Sequence, residues 1–135
     1  MKDIKSIKAY FERIFPEKTN RFEFIEVSDC YAMVRLIPDP NDLRPGGTIS
    51  GPTMFELADC AFWTALLYKD PDPMSVTVNC SINFINKPKN ANLMARATIR
   101  KFGRKLVVGD VELFSESSEN IVAQALLTYA RAIKK

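Results

Sequence analysis

The spacing of apolar residues near the amino end of the chain follows a helical period. Charged residues separate the apolar ones, which fall on one helix face: Ile4, Ile7, Tyr10, Phe11 and Ile14. This pattern predicts an amphipathic helix within residues 1–16, ended by Pro16. Two strand-like segments follow near residues 22–27 and 31–37, with a turn at residues 28–29 between them.

A longer helix is predicted after a loop. Residues 38–47 contain three prolines and two glycines, a composition typical of a loop. Ser50, Gly51 and Pro52 then form a helix-start signal, because serine caps helices and proline is tolerated at their first position. Residues 54–68 are apolar almost all round, which is the pattern of a buried helix. Alternating aspartates and prolines end it.

A strand period dominates the second half of the chain. Residues 75–85 alternate between an apolar face (Val76, Val78, Cys80, Ile82, Phe84) and a polar face (Ser75, Thr77, Asn79, Ser81, Asn83). The polar face could contact water or pair with another surface. Further strands are predicted near residues 92–102, 106–115 and 121–133, and the short connections favour an antiparallel meander. A sheet of this kind wrapped around one long helix is an α+β fold.

Composition narrows the possible functions. The 135 residues fit a single domain over residues 1–135, with the hydrophobic share of 47% that is ordinary for a soluble globular protein. The net charge of +3 is too small to predict a nucleic-acid partner. The absence of histidine excludes histidine-activated nucleophiles, histidine metal ligands and histidine-based dehydration. Any catalysis must therefore use carboxylates, hydroxyls, lysines and backbone amides.

The cellular compartment is predicted from three further features. The cysteines, Cys30, Cys60 and Cys80, lie in apolar stretches and cannot all pair, so we expect reduced thiols. The basic first residues are not followed by the apolar core of a signal peptide. No apolar run reaches the roughly 18 residues that a membrane span needs. We therefore expect a cytoplasmic protein without a membrane partner.

Asp59 breaks the apolar pattern of the long helix. It lies among leucine, alanine, cysteine and phenylalanine, where an unpaired carboxylate would cost several kcal/mol. One explanation is a structural ion pair, and the other is a cleft in which Asp59 acts as nucleophile or general base. Glu56 lies one helical turn earlier and is the rival carboxylate, although it is nearer the helix start and more easily exposed.

Gly51 is a second candidate, at the start of the same helix. The free N–H groups at a helix amino end attract negative charge, and a carbonyl oxygen develops such charge when a nucleophile attacks the carbonyl. Gly51 and Asp59 are eight positions apart, or about 12 Å of helix rise. That length leaves room for a substrate carbonyl beside the helix, although Gly51 could instead serve only the turn.

The segment from Gly47 to Asp59 resembles the central-helix signature of hotdog-fold acyl-CoA thioesterases, particularly the phenylacetate-pathway type: Gly-Thr-Ile-Ser-Gly-Pro-Thr-Met-Phe-Glu-Leu-Ala-Asp. The resemblance covers nearly all of residues 22–133, including the strand 76–84 and the turn Gly103-Arg104. It implies a hotdog fold, in which a curled antiparallel sheet wraps one long central helix. It also implies that two subunits pair edge to edge, with the active sites between them.

The resemblance assigns roles to three residues. Asp59 matches the catalytic carboxylate, which attacks the thioester or activates water. Gly51 matches the glycine whose amide holds the thioester oxygen, and Thr77 matches a strand hydroxyl that helps place the hydrolytic water across a subunit boundary. The resemblance implies no metal and no cofactor apart from the coenzyme A of the substrate.

The chain departs from the family pattern at two positions. Ser50-Gly51-Pro52 stands where the family commonly has His-Gly-Gly, so Ser50 could contribute a hydroxyl to the site or only cap the helix. Arg44 stands where the family commonly has an asparagine that contacts the carboxylate. Arg44 could form an ion pair with Asp59, or it could be a solvated loop residue.

The remaining candidates for substrate contact are Asn79, on the polar face of its strand, and the basic residues Lys87 and Arg104. These basic residues could bind the phosphates of coenzyme A or form a solvated basic surface. Three functions follow: hydrolysis of small, medium or aryl acyl-CoA thioesters, non-catalytic binding of acyl-CoA or lipid, and dehydration or hydration. The last ranks lowest because the chain has no histidine. We expect a homo-oligomer, either a dimer or a dimer of dimers.

Overall fold

The computed structural model, which describes residues 1–118 and 120–132, contains one antiparallel sheet of six strands. Two α-helices and six strands follow one another in the described residues: α1 (Ile4–Ile14), β1 (Phe22–Ser28), β2 (Tyr31–Leu36), α2 (Gly51–Lys69), β3 (Val76–Phe84), β4 (Leu93–Phe102), β5 (Leu106–Ser115) and β6 (Ile121–Ala130). The strand order across the sheet is β1-β2-β4-β5-β6-β3. The α+β fold class predicted from the sequence is confirmed.

The predicted meander is wrong at β3. This strand pairs with β6 at the far edge of the sheet, while β4 lies between β2 and β5. The connection 85–92 therefore passes β6 and β5 before β4 begins. Neighbouring strands lie about 4.8 Å apart, and each residue of an extended chain spans up to about 3.4 Å. The connection 85–92 is therefore long enough to pass two strands. β6 ends at Ala130, before the predicted end at residue 133, which itself lies outside the described residues.

The central helix α2 is buried nearly all round, as the sequence predicts. Leu57, Phe62 and Leu66 are each 0% exposed, and α2 packs against β2, β4 and β5. Gly109 of β5 permits this close packing, since a Cβ atom there would lie 2.7 Å from Cε2 of Phe62. None of the helices within residues 1–118 and 120–132 combines the length and apolar character that a membrane span requires.

A β-bulge in β3 overturns the predicted division of that strand into two faces. Thr77 and Asn79 pair with the adjacent residues Tyr129 and Thr128 of β6, so Val78 is an extra residue without a partner in the register. A bulge of this kind shifts the alternation of side chains. Thr77 therefore faces α2, and Val76 and Val78 are 55% and 54% exposed.

The first helix, α1, packs across the side of α2 near the start of β3. It is amphipathic as predicted, and its aromatic residues carry the contacts. Tyr10 stacks on Trp63 of α2, with ring centroids 6.0 Å apart. Phe11 makes edge contacts with Phe22 and Phe24 of β1, at 5.8 and 5.5 Å between centroids. Aromatic pairs of this geometry add about 0.5–1.5 kcal/mol to the burial of their area.

An ion cluster joins the start of β1 to α2 and to the loop before it. The guanidinium of Arg21 donates to both carboxylate oxygens of Asp42, at 3.0 and 2.6 Å, and to Glu56 at 2.6 Å. Lys18 also donates to Glu56, at 2.7 Å. Burial raises the pKa of Asp42, but hydrogen bonds from Arg21, from the Asp39 amide and from Thr53 outweigh burial and hold the pKa below its usual value. The pKa of Glu56 is lowered in the same way, because the hydrogen bonds from Lys18 and Arg21 outweigh its burial.

The cluster gives a testable prediction. Replacing Arg21 by methionine leaves Asp42 buried without its cation, so we expect the free energy of unfolding at pH 7 to fall by about 3 kcal/mol. Carboxyl groups with lowered pKa values stabilise the fold above their unfolded values, and this stability is lost as the pH falls through the folded values. The wild-type protein should therefore lose stability below about pH 4 more steeply than Arg21→Met, measured by denaturant unfolding at several pH values.

The matched control is Arg100→Met. Arg100 also donates two hydrogen bonds to one aspartate, Asp110, but the Arg100 side chain is 65% exposed. Exposed ion pairs contribute little to stability, so the free energy of unfolding of this variant should be close to that of the wild type. Equal effects of the two substitutions would contradict the role assigned to the buried cluster.

Candidate active site

Asp59 lies in the middle of α2, half-buried, with its carboxylate directed to the start of β3. One of its oxygens, Oδ1, accepts a hydrogen bond from the Thr77 hydroxyl at 2.6 Å and another from the Tyr129 hydroxyl at 2.7 Å. Both donors are neutral. Among the described residues no cation forms a salt bridge with Asp59, and Oδ2 has no hydrogen bond.

Tyr129 is a site residue that the sequence analysis missed. It lies on β6 directly opposite Thr77 of β3, so the pairing of the two strands brings both hydroxyls to Asp59. Burial raises the pKa of Tyr129, and the negative charge of Asp59 raises it further, so the phenol stays protonated and donates. The available signal was a tyrosine in line with the alternating aliphatic residues of the strand, because a buried tyrosine hydroxyl usually needs a hydrogen-bond partner.

The carboxylate of Asp59 borders a cavity of about 440 Å³ between α1, α2 and the start of β3. Most of its lining is aromatic or aliphatic, including Phe11, Ile14, Phe15 and Trp63. Ser75 also lines it, with a buried hydroxyl that has no protein partner among the described residues. A cavity of this size, mostly apolar with a few polar groups, has the character of a small-molecule site.

Gly51 is the first residue of α2, where the backbone N–H has no carbonyl partner within the helix. Ser50 accepts a hydrogen bond from the Thr53 amide at 3.3 Å, so the capping role predicted for it is confirmed. Both residues line a second cavity of about 540 Å³ beside Phe84 at the end of β3. The Gly51 and Asp59 cavities share no lining residue. One chain therefore does not bring the two groups to the same carbonyl.

The other predicted residues lie in different places. Arg44 and Lys87 are exposed and line the Gly51 cavity, away from Asp59. The ion pair suggested between Arg44 and Asp59 does not form within the described chain. Asn79 and Arg104 are exposed and line neither cavity, and Arg104 follows β4 in the turn to β5. The candidate phosphate-binding residues Lys87 and Arg104 are not brought together within one chain.

Two other groups near Asp59 are unsuited to attack a substrate. Glu56, the rival carboxylate, is held in salt bridges with Lys18 and Arg21, so both of its oxygens are already occupied. Burial raises the pKa of the Cys60 thiol, and the charge of Asp59 raises it further, so Cys60 carries little thiolate. Among the described residues no cluster of histidine, cysteine, aspartate or glutamate could hold a metal ion.

Comparison with known proteins identifies the family. The model of the thioesterase superfamily matches residues 46–122, and this chain belongs to that superfamily. A candidate thioesterase from Silicibacter sp. TM1040 is 37% identical over 96% of this chain and 92% of its own, with a TM-score of 0.89. The predicted resemblance and the hotdog fold are both confirmed. No match was found among curated protein sequences.

More distant structures share the fold. Zebrafish thioesterase superfamily member 2 is 20% identical, with a TM-score of 0.86 over 98% of this chain and 100% of its own. The PaaI protein of the Escherichia coli phenylacetic acid degradation operon is 21% identical, with a TM-score of 0.76 over 95% of this chain and 92% of its own. At these identities the similarity shows the fold.

The pKa of Cys60 gives a testable prediction. Because Cys60 is buried with a raised pKa, we expect iodoacetamide at pH 8 to leave it unmodified in the native protein. Cys30 lies partly exposed in the turn between β1 and β2 and should be alkylated first. Peptide mapping by mass spectrometry measures both, with the unfolded protein as the control in which all three cysteines react. Rapid native labelling of Cys60 would contradict the assignment.

Proposed function

We propose that the protein hydrolyses acyl-CoA thioesters to the free acid and coenzyme A. The observation that carries this proposal is Asp59, a carboxylate on an apolar helix, facing an apolar cavity and held by two hydroxyls instead of a cation. A cation would stabilise the negative charge and weaken the carboxylate as a nucleophile or base. Membership of the thioesterase superfamily supports thioester hydrolysis in general.

Either of two routes uses the same geometry. In the first, Oδ2 of Asp59 attacks the thioester carbon, the C–S bond breaks, and water then hydrolyses the resulting anhydride. In the second, Asp59 takes a proton from a water molecule whose oxygen attacks the carbon, and the tetrahedral intermediate expels the thiolate. Thr77 and Tyr129 hold Oδ1 in both routes, which fixes the orientation of the carboxylate and leaves Oδ2 for the chemistry.

The developing negative charge on the thioester oxygen needs a hydrogen-bond donor, and the Gly51 N–H is suited to it. Within one chain, eight residues of helix, or about 12 Å, separate this N–H from Asp59. A carbonyl can contact both groups only if they come from different subunits. We therefore propose that each site joins Asp59, Thr77 and Tyr129 of one subunit to the partner's Gly51.

The free edge of β3 offers the pairing that this arrangement needs. β3 ends the sheet and has no charged residue, and its Val76, Val78 and Phe84 are more than half exposed. A two-fold axis near the middle of β3 pairs the strand antiparallel with its copy. The start of one β3, beside Asp59, then lies near the end of the partner's β3, beside the partner's Gly51. The partner's Arg44 and Lys87 would lie beside the coenzyme A portion of the substrate.

The test of the carboxylate is Asp59→Asn. Removing the nucleophile or base should lower kcat by roughly 100- to 10,000-fold, because positioned acid–base groups contribute about that much. Release of the coenzyme A thiol across a panel of acyl-CoA substrates measures this loss, and thermal unfolding checks that the variant is folded. Asp110→Asn is the matched control, since Asp110 lies on β5 outside both cavities and pairs with Arg100.

Full turnover by Asp59→Asn would exclude Asp59 as the catalytic group. A wild-type protein that binds acyl-CoA tightly but releases no thiol would instead support the non-catalytic binding module. The replacement of the family's usual histidine and asparagine by Ser50 and Arg44 is the feature that favours this second function.

The test of Gly51 uses two variants. Gly51→Pro removes the N–H; proline suits the first helical position and Ser50 is extended, with φ −73° and ψ 155°, while thermal unfolding checks that a proline directly before Pro52 leaves the protein folded. Gly51→Ala keeps the N–H and adds a Cβ atom 3.2 Å from the exposed ring of Phe84. We expect kcat to fall about 100- to 1,000-fold further in Gly51→Pro than in Gly51→Ala.

Mixing two inactive variants tests whether the site is shared between subunits. A hybrid dimer of Gly51→Pro and Asp59→Asn contains one site in which Asp59 and the partner's Gly51 are both native. Co-refolding equal amounts should therefore restore about a quarter of wild-type activity, because half of randomly assorted dimers are hybrids with one active site of two. Activity no higher than the sum of the separate variants would contradict a shared site.

A further inference from the structure

One wall of the cavity beside Asp59 is formed by the end of α1 and the residue after it, a segment outside the residues matched by the superfamily model. Phe11 and Ile14 from α1 and Phe15 directly after it form this wall, and Trp63, one turn beyond Asp59, contributes from α2. Tyr10 and Phe15 both pack on the ring of Trp63, at 6.0 and 6.1 Å between centroids. The position of α1 and the shape of this cavity are therefore coupled.

Most of the charged groups that line the cavity are already paired with one another and so are not free to bind a polar ligand. Lys18 and Glu56 line it, but they form a salt bridge with each other at 2.7 Å, and Arg21 takes the second oxygen of Glu56. Asp59 is the remaining lining carboxylate. The other lining residues are mainly aromatic and aliphatic, and the volume of about 440 Å³ exceeds what a two-carbon group needs. The cavity thus suits an apolar group attached to the atom that Asp59 attacks.

From this arrangement we infer that the cavity between α1 and Trp63 receives the acyl group of the substrate and selects apolar acyl groups of medium length. The inference rests on the proposed function for the thioester chemistry, but it concerns binding and has its own readout. Ile14 and Trp63 are then specificity-determining residues. Each methylene that enters the cavity should strengthen binding by about fourfold until the cavity is full.

Trp63 reports on the cavity directly, because it is the single tryptophan of the chain. The first experiment titrates full-length Asp59→Asn protein with coenzyme A, acetyl-CoA, butyryl-CoA, hexanoyl-CoA, octanoyl-CoA and phenylacetyl-CoA while recording tryptophan emission. The expected result is a saturable change whose midpoint falls about fourfold per added methylene from butyryl to octanoyl, with no such change for coenzyme A alone. A response that is the same for coenzyme A and octanoyl-CoA, or absent while calorimetry detects octanoyl-CoA binding, would overturn the inference.

The second experiment changes the size of the cavity at Ile14, which is partly exposed on α1. Ile14→Phe should lower kcat/KM for octanoyl-CoA at least tenfold relative to butyryl-CoA, and Ile14→Ala should move the preference to longer chains. Ile4→Ala is the matched control, since Ile4 is an isoleucine on the same helix with partial burial and does not line the cavity. An equal change in kcat/KM for every substrate, which is also what a loss of folded protein produces, would contradict the role of Ile14.

The two proposals fail in different ways. If the wild-type protein releases no thiol from any acyl-CoA, the proposed hydrolysis is wrong, and the tryptophan emission titration, which needs no turnover, still decides whether the acyl group enters this cavity. If thiol is released but neither emission nor substrate preference depends on the acyl group, the cavity is not the acyl site and the proposed hydrolysis stands.

Discussion

Two hydrogen bonds to one oxygen of Asp59 are the interaction on which the candidate site depends. A carboxylate on an apolar helix is costly unless its oxygens have partners. Thr77 comes from β3 and Tyr129 from β6, so both donors depend on the pairing of these strands. The bulge at Val78 matters for the same reason, because it turns Thr77 towards the helix. Sheet register, helix position and candidate chemistry are therefore linked through one oxygen atom.

Two carboxylates three positions apart on α2 have opposite surroundings. Glu56 is neutralised by Lys18 and Arg21, and the same arginine binds Asp42 in the loop before the helix. This ion cluster fixes the amino half of α2 against the start of β1. Asp59 has neutral donors and faces the cavity. Cations thus hold the carboxylates that join structural elements, and hydroxyls hold the carboxylate that faces the cavity.

The sequence predicted the features that local pattern controls. The all-round apolar helix and the position of Asp59 within it follow from residue spacing, and the capping role of Ser50 follows from its place before Gly51 and Pro52. Tyr129 escaped prediction because its contact with Asp59 spans 70 positions and requires the place of β3 beside β6. The predicted faces of β3 are wrong because a single extra residue shifts the alternation of its side chains. The resemblance to the family pointed to Thr77, whereas the period-two pattern placed it on the wrong face.

The two edges of the sheet differ in a way that bears on solubility. β1, at one edge, has its own bulge and exposes Glu23 and Glu26, and both features hinder the addition of another strand. β3, at the other edge, has a bulge but no charge to repel a further strand. On the proposed pairing, a dimer covers β3 and leaves only the acidic edge in water. Dilution below the dimer dissociation constant would then separate the two halves of each site and expose a strand edge prone to aggregation, so loss of activity and loss of solubility would share one cause.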